Sequence, residues 1–271
     1  MSGFMAMANW QLMWLICFAL FGVLKAISVW PVAGRMTPGL RAGYLFGWPG
    51  LDPTPFTAGG ASRVSGASIR DLATPLIELV AGAILIWGLS PQAAGISDLL
   101  QGWLGLVGIA LLLHFGAFRG LQWVWNRAGI AVGPIMDAPL RATSLEEFWG
   151  RRWNRAFRDF SHTWIFRPAT RWFGARCAVA MVFLVSGVIH DVAISIPAGG
   201  GYGLPTAYFV IQYFGVLLQR SPLVRKFGFD RGVRGWLLTA LVILGPVDWL
   251  FHPPFLRTVV LPFLAAMGAR S

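Results

Sequence analysis

The sequence predicts an all-α fold: a polytopic integral membrane helical bundle of about seven spans, with one additional interfacial amphipathic helix. Over 271 residues, 56% are hydrophobic, only 12% are charged, and the mean hydropathy is +0.63. Such a chain is too apolar for an ordinary soluble domain and too long for a single span. We therefore expect one transmembrane domain that covers residues 1–271.

Seven apolar runs are long enough, or nearly long enough, to cross a bilayer as helices. They cover residues 10–30, 72–89, 103–125, 176–196, 204–219, 236–251 and 255–267. The first run has no basic leader of the kind that precedes a signal peptide, so we interpret it as a retained helix. The segment 31–71 is rich in Gly, Pro, Thr and Ser and is predicted to be irregular or only briefly helical.

The basic residues indicate the topology. A net charge of +11 would indicate a nucleic-acid partner only if the basic residues formed a solvated face on a soluble module. Here the basic residues lie between apolar runs. With the N-terminus outside, the inward loops 31–71, 126–175 and 220–235 are basic, while the outward segments 1–9, 90–101, 197–203 and 252–254 contain no Lys or Arg. This asymmetry predicts a multi-pass protein of a bacterial inner membrane, with cytosolic basic loops and no nucleic-acid partner.

The stretch "SLEEFWGRRWNRAFRDF", residues 144–160, combines large aromatics with many charges. Ser144 and Glu147 match a capping box, so a helix is predicted to begin near Leu145. At 100° per residue the aromatics share one face of this helix. The other face holds Arg151, Asn154, Arg155 and Arg158. The arginines fit anionic headgroups of membrane lipids, and they fit equally the phosphates of a water-soluble co-substrate.

One histidine is predicted to lie inside the membrane. His190 follows Arg176 by fourteen residues, about 21 Å along a helix. Ionisable groups at that depth are functional-site candidates. Ser186 and Gly187, one turn earlier, form a small-residue surface for a neighbouring backbone or a substrate chain. Asp191 points about 100° away from His190 and is predicted to make an interhelical hydrogen bond instead.

The other polar residues in the apolar runs indicate a functional site less clearly. Lys25 and Glu78 are predicted to pair between the first two helices. The four histidines lack the spacing of a zinc site, and no nucleophile motif is present. The cysteines, Cys17 and Cys177, are predicted to be packing residues.

Four segments together resemble the membrane-bound O-acyltransferase family, in its wax synthase-like branch. They are "GYLFGWPGLD", "SLEEFWGRRWN", "FLVSGVIHD" and "FHPPFLRTVVLPFL", and the similarity covers about residues 43–267. The chain departs from the family in having less apolar helix before "WPG". This departure bears on the size of the acceptor site more than on the reaction.

The resemblance implies an enzyme that moves an acyl group from acyl-CoA to the hydroxyl of a lipophilic alcohol, inside a tunnel through the bundle. The family's Asn and His fall on Asn154 and His190. His190 would be the general base and Asn154 would orient or polarise the reacting groups. Acyl-CoA is a co-substrate, and no further cofactor is implied.

Several further predictions concern the substrates. The predicted substrate-binding residues are Arg151, Trp153, Arg155, Arg158, Ser186 and Gly187. A long-chain alcohol, giving a wax ester, is the default acceptor. A terpenoid, sterol or sugar hydroxyl is an alternative acceptor, and a non-catalytic membrane transporter or scaffold is the alternative of another class.

Overall fold

A computed structural model describes residues 7–57 and 68–269, and within these ranges every regular element is helical. The seven apolar helices, in chain order, are α1 Asn9–Arg35, α2 Ile69–Ala93, α3 Asp98–Arg127, α4 Arg155–Ala198, α5 Leu204–Gln219, α6 Gly232–Leu250 and α7 Pro253–Ala266. Five are long and apolar enough to cross a membrane, whereas α5 and α7 are shorter. Each corresponds to one predicted run, with ends that exceed the helix by one residue at most, so the all-α, multi-pass prediction is confirmed.

Glycines allow α3 to pack closely on its neighbours. A Cβ added to Gly82 of α2 would lie 2.8 Å from the Gly108 carbonyl oxygen of α3. A Cβ added to Gly102 would lie 3.2 Å from the Cβ of Leu256 on α7. Such small-residue contacts replace the hydrophobic effect as the source of helix association in lipid. They fix α3 between α2 and α7.

The helix α4 is broken at Gly174, which has φ 76° and ψ 166°. Only glycine adopts this conformation readily, because a Cβ would clash with the backbone. The part after the break begins within two residues of the predicted start of the span at Arg176. His190 lies on this second part.

The predicted pair between Lys25 and Glu78 is wrong. The Lys25 ammonium is buried and donates to the carbonyl oxygens of Tyr44, at 2.8 Å, and Gly50, at 2.6 Å. Its nitrogen also lies 3.5 Å from the centroid of the Tyr44 ring. Glu78 instead pairs with Arg119 of α3, at 3.5 Å.

Lys25 has these partners because of the segment that follows α1. It contains a helix, Pro38–Gly47, longer than predicted. The last carbonyls of a helix have no partner within it, so that of Tyr44 accepts from the buried ammonium, and the carbonyl of Gly50, in the loop after the helix, accepts as well. Residues 31–35 of the predicted loop continue α1, and Thr54–Phe56 forms one short 3₁₀ turn. The rest of the loop is irregular up to Thr57, and its residues 58–67 lie outside the described ranges.

Candidate active site

The stretch 144–160 forms two helical segments, so the prediction of one continuous amphipathic helix is wrong. A short helix, Leu145–Glu147, continues as the π-helix Phe148–Arg152. Trp153 is extended, with φ −95° and ψ 130°. Asn154 is left-handed, with φ 41° and ψ 59°, and α4 begins directly after it. Arg151 therefore does not share a helical face with Arg155 and Arg158.

The predicted capping box is half confirmed. The Ser144 hydroxyl accepts from the Glu147 backbone N–H at 3.1 Å. The Glu147 carboxylate, however, accepts from the Thr143 N–H at 2.8 Å and not from Ser144. It also pairs with Arg152 at 2.7 Å. Burial opposes the charge of Glu147, but the hydrogen bonds from Thr143 and Arg152 hold its pKa below the usual range.

Asn154 marks the break and caps the helix that follows. Its side-chain oxygen accepts from the Phe157 backbone N–H at 3.2 Å. Because a backbone N–H can only donate, this bond fixes which end of the amide is oxygen. The Nδ2 group has no hydrogen-bond partner among the described residues, so it is free to donate to a ligand. Asn is also one of the few residue types besides glycine that tolerates a left-handed backbone.

A second segment, residues 135–137, holds the break in place. The Arg155 N–H donates to the Ile135 carbonyl at 2.9 Å, and the Asp137 N–H donates to the Arg152 carbonyl at 2.8 Å. These bonds satisfy backbone groups that the interruption of the helix leaves unpaired. The conformation of Asn154 is therefore fixed from both sides.

His190 is held as a specific tautomer. Its Nδ1 lies 2.7 Å from the Ser186 carbonyl oxygen, one turn earlier on α4. A carbonyl oxygen only accepts, so Nδ1 carries the proton. In the neutral ring, Nε2 then carries a lone pair, and Nε2 has no hydrogen-bond partner in the described part of the chain. The geometry leaves His190 able to accept a proton.

The side chain of His190 faces the inside of the bundle. It lies about 20° round the helix from Phe183, which is 8% exposed. Val188, on the opposite side of α4, is 49% exposed, as expected for a lipid-facing residue. His190 itself is only partly buried. The imidazole therefore lies on the face of α4 that packs against the bundle and not on the face that meets lipid.

A series of aromatic rings lies between the two predicted catalytic residues. No hydrogen bond joins Asn154 to His190, although both residues are described. The Trp153 ring stacks on Phe148 at 5.5 Å, and Phe148 contacts Trp149 at 4.9 Å. Trp149 contacts Phe209 of α5 at 5.6 Å, and Phe209 contacts His190 at 4.6 Å. The rings connect the break at Asn154 to the imidazole.

The small residues next to His190 serve helix packing. A Cβ added to Gly187 would lie 2.8 Å from the Cα of Thr206, at the start of α5. Ser186 is 7% exposed and orients His190 through its carbonyl oxygen. Of the two predicted uses of this surface, close approach of a neighbouring backbone is the one that the contacts support.

Two of the predicted arginines have unsatisfied donors. The Nε groups of Arg155 and Arg158 are buried and have no hydrogen-bond partner among the described residues. Arg155 lies 3.8 Å from Asp137, and Arg158 lies 2.8 Å from its neighbour Asp159. Buried donors without acceptors are costly, so an anion at this position would be stabilised by them. Arg151 is exposed.

Neither of two surface cavities in the described part of the chain is lined by Asn154 or His190. One, of about 380 Å³, is an apolar groove along α2 that includes Leu76 and Val80. The other, of about 100 Å³, is polar and includes Glu146, Arg220 and Asp230. The predicted tunnel stays a prediction.

Asp191 makes the predicted interhelical bonds. Its carboxylate accepts from the Gly203 N–H at 2.9 Å, the Thr206 hydroxyl at 2.6 Å and the Ser195 hydroxyl at 2.8 Å. Ser195 also lies 3.3 Å from Nε2 of His252, which is fully buried. The residue after His190 therefore caps α5 from the neighbouring helix and sets the register of the two helices.

Replacing Asp191 with alanine is expected to destabilise the protein by about 1–3 kcal/mol, because the N-terminal donors of α5 and the buried Ser195 hydroxyl lose their acceptor. Thermal or denaturant unfolding in detergent micelles measures the change. Asp98→Ala is the matched control, since Asp98 is exposed at a helix start. Equal stability of the two variants would contradict this role of Asp191.

The sequence analysis missed Gln212, a fully buried amide within α5. Its Nε2 donates to the Val242 carbonyl at 2.8 Å, and its Oε1 accepts from the Trp149 indole at 3.4 Å. Val242 lacks its usual helical donor because the residue four positions on is Pro246, which has no N–H. A glutamine in an apolar run and a proline in a later one were the available signals.

Comparison with known proteins gives a family. Residues 132–211, which include both Asn154 and His190, match the model described as the membrane bound O-acyl transferase family. A probable long-chain-alcohol O-fatty-acyltransferase 7 of Arabidopsis thaliana is 29% identical over 142 residues, which are 48% of this chain and 42% of that protein. The long-chain-alcohol O-fatty-acyltransferase of Simmondsia chinensis is 31% identical over 143 residues, 48% of this chain and 40% of that protein.

A third relative has a different named acceptor. The acyl-CoA–sterol O-acyltransferase 1 of Arabidopsis thaliana is 26% identical over 154 residues, 50% of this chain and 44% of that protein. The chain thus spans less than half the length of these curated relatives.

Among the described residues, the fold and the site define a class: a multi-pass membrane protein in which a histidine on the inner face of one span leaves Nε2 without a partner, and an asparagine at a helix break leaves Nδ2 without one. Residues 132–211 match the membrane bound O-acyl transferase family, and the chain is similar to its long-chain-alcohol, wax synthase-like branch. The resemblance stated from the sequence motifs is confirmed.

Proposed function

We propose that this chain is a membrane O-acyltransferase that transfers an acyl group from acyl-CoA to the hydroxyl of a lipophilic alcohol. The observation that carries the proposal is the proton-accepting Nε2 of His190, which faces the interior from within a span and lies in the segment that matches the family. An intramembrane ionisable group of this kind is expected to serve a substrate or a proton path.

His190 is the general base. Its Nε2 accepts the proton of the alcohol while the alcohol oxygen attacks the thioester carbonyl carbon. The carbon–sulfur bond then breaks, and the imidazolium returns the proton to the leaving thiolate. The products are the ester and free coenzyme A. No acyl-enzyme is formed.

Asn154 is the donor that orients or polarises acyl-CoA. Its Nδ2 group is unpartnered among the described residues, and its oxygen is already engaged in capping α4. An amide N–H that is fixed before the substrate binds stabilises developing negative charge without reorganisation. A role for Asn154 as donor is therefore compatible with its structural role.

Arg155 and Arg158 hold phosphate groups of coenzyme A. Their buried Nε–H groups have no acceptor in the part of the chain that the structure describes, and phosphate oxygens satisfy guanidinium donors well. In the topology that we propose, with the N-terminus outside, these arginines lie on the cytosolic side, where coenzyme A is found. Membrane lipids surround the spans.

The acceptor is a long-chain alcohol by default, because two of the relatives above are named for that substrate. A sterol hydroxyl is the second candidate, since a further relative is named for sterols. Both acceptors are lipophilic and present one hydroxyl to the base.

Membranes from cells that express the full chain test the proposal when they are incubated with labelled acyl-CoA and a panel of fatty alcohols and sterols. We expect labelled ester and an equal amount of free coenzyme A, both absent from membranes of cells without the chain. Absence of ester with every acceptor would refute the acyltransferase assignment in favour of a transporter or scaffold.

Replacing Arg155 and Arg158 together with glutamine is expected to raise the KM for acyl-CoA about tenfold or more. A hydrogen bond to a charged group contributes about 1.5–3 kcal/mol, and about 1.4 kcal/mol corresponds to a tenfold change. Steady-state kinetics at saturating alcohol measure the KM. Arg231→Gln, at an exposed arginine of the 220–235 loop, is the control. An unchanged KM with weaker membrane retention would favour headgroup binding.

A further inference from the structure

We propose that Trp149 determines the size of the hydrocarbon chain that lies between the break at Asn154 and His190. The inference rests on the proposed acyl transfer and adds the residue that selects among its substrates. Three observations carry it: the position of the ring, its anchoring and its exposure.

The indole of Trp149 lies between the two candidate catalytic residues. On one side it contacts Phe148, on which the ring of Trp153 is stacked. On the other side it contacts Phe209, the ring that packs on His190. It also contacts Phe183 of α4 edge-on at 6.0 Å. A substrate that reaches from Asn154 to His190 must therefore pass this indole.

A buried polar side chain holds the indole in one orientation. The indole N–H donates to Oε1 of Gln212 at 3.4 Å. Gln212 is itself fixed, because its Nε2 donates to the Val242 carbonyl that Pro246 leaves without a donor. Buried polar groups in a membrane are costly unless they are paired, so this amide is held in its orientation by two partners. The ring cannot rotate without breaking the bond.

The side chain of Trp149 is also more exposed than the aromatic side chains that it contacts. Phe148 and Phe183 are each 8% exposed and Phe209 is 3% exposed, whereas Trp149 is only partly buried. His190 is likewise partly buried on an interior face. The indole and the imidazole therefore both keep some accessible surface, and both contact the ring of Phe209. A fixed ring so near the imidazole limits the width of a chain that approaches it.

The surface formed by Trp149 and its neighbouring rings is apolar, because the indole N–H already donates to Gln212. It recognises a hydrocarbon chain by shape and not by hydrogen bonding. An apolar pocket discriminates between chains that differ by a methylene by about 1–3 kcal/mol, or about 10–200-fold. A smaller side chain at position 149 is expected to admit bulkier or longer chains.

The test compares the wild type with Trp149→Leu and Trp149→Phe, using series of acyl-CoA and alcohol chain lengths. The readout is the ratio of kcat/KM for the longest and the shortest members of each series. We expect Trp149→Leu to change this ratio at least about tenfold in favour of bulkier chains. Trp149→Phe keeps one ring and is expected to shift the ratio in the same direction by less, and it tests the proposal should the leucine variant fail to fold.

The matched control is Trp236→Leu. Trp236 also donates its indole N–H to a carbonyl, that of Leu140, but it lies outside the ring series. It is expected to leave the ratio unchanged. An unchanged ratio in an active Trp149 variant, or a uniform loss over all substrates, would overturn the inference while the acyltransferase assignment stands. Absence of ester from the wild type would overturn both.

Discussion

Replacing His190 with alanine is expected to reduce the rate of ester formation about 10²–10⁴-fold, the range that a positioned general base contributes. The loss should appear in kcat, because the imidazole acts on the proton that moves in the transition state and not on substrate binding. Purified protein in detergent, labelled acyl-CoA and a saturating alcohol give the rate. Thermal unfolding of the same samples establishes that the variant is folded.

Two further variants make the assignment of His190 specific. His190→Gln keeps a side-chain donor for the Ser186 carbonyl but has no basic nitrogen, so it should lose as much activity as the alanine variant. His162→Ala removes an exposed histidine of the same matched segment and should retain activity. Wild-type rates in folded His190→Ala protein would show that this histidine is not the base.

Replacing Asn154 with aspartate separates the two roles of this residue. Aspartate keeps an oxygen that caps Phe157, tolerates the left-handed backbone and suits the positive end of the helix dipole. It lacks the Nδ2 donor. We therefore expect a stability close to that of the wild type and a loss of about 10²–10³-fold in kcat, the effect of removing one preorganised donor.

Asn154→Gly provides the independent comparison for this prediction. Glycine has neither donor nor charge but accepts the left-handed conformation, and as a helix cap it costs only a few tenths of a kcal/mol. It should lose activity as aspartate does. Retained activity in either folded variant would assign Asn154 to the backbone break alone. Ester formation and thermal unfolding, measured on the same preparations, distinguish these results.

The spans were predictable because length and hydropathy are local properties. Each of the seven runs, from 10–30 to 255–267, falls within one apolar helix of the structure to within one residue. The same reasoning identified His190, since an ionisable group deep in a run is costly and visible in the sequence. The interhelical role of Asp191 also followed from its angle on α4.

The break at Asn154 was not predictable from the helical pattern. Neither Gly nor Pro marks Trp153 and Asn154, and the charges and aromatics of 144–160 fit a continuous helix equally well. The backbone bonds of Ile135 and Asp137 that hold the break come from a segment about twenty residues earlier. Long-range contacts of this kind are invisible to periodicity. The partner predicted for Lys25 was wrong for a similar reason, because its partners are backbone carbonyl oxygens and not a charged side chain.

The backbone at Asn154 has a consequence for recognising inactive relatives. Two residue types, Asp and Gly, tolerate a left-handed backbone at a helix start without supplying a side-chain amide donor. A natural chain with either residue at this position would insert into the membrane, keep the same helices and match the family equally well. By the mechanism proposed here its kcat would be lower by about 10²–10³-fold. The residue at this one position therefore distinguishes an active transferase from a folded protein with little activity.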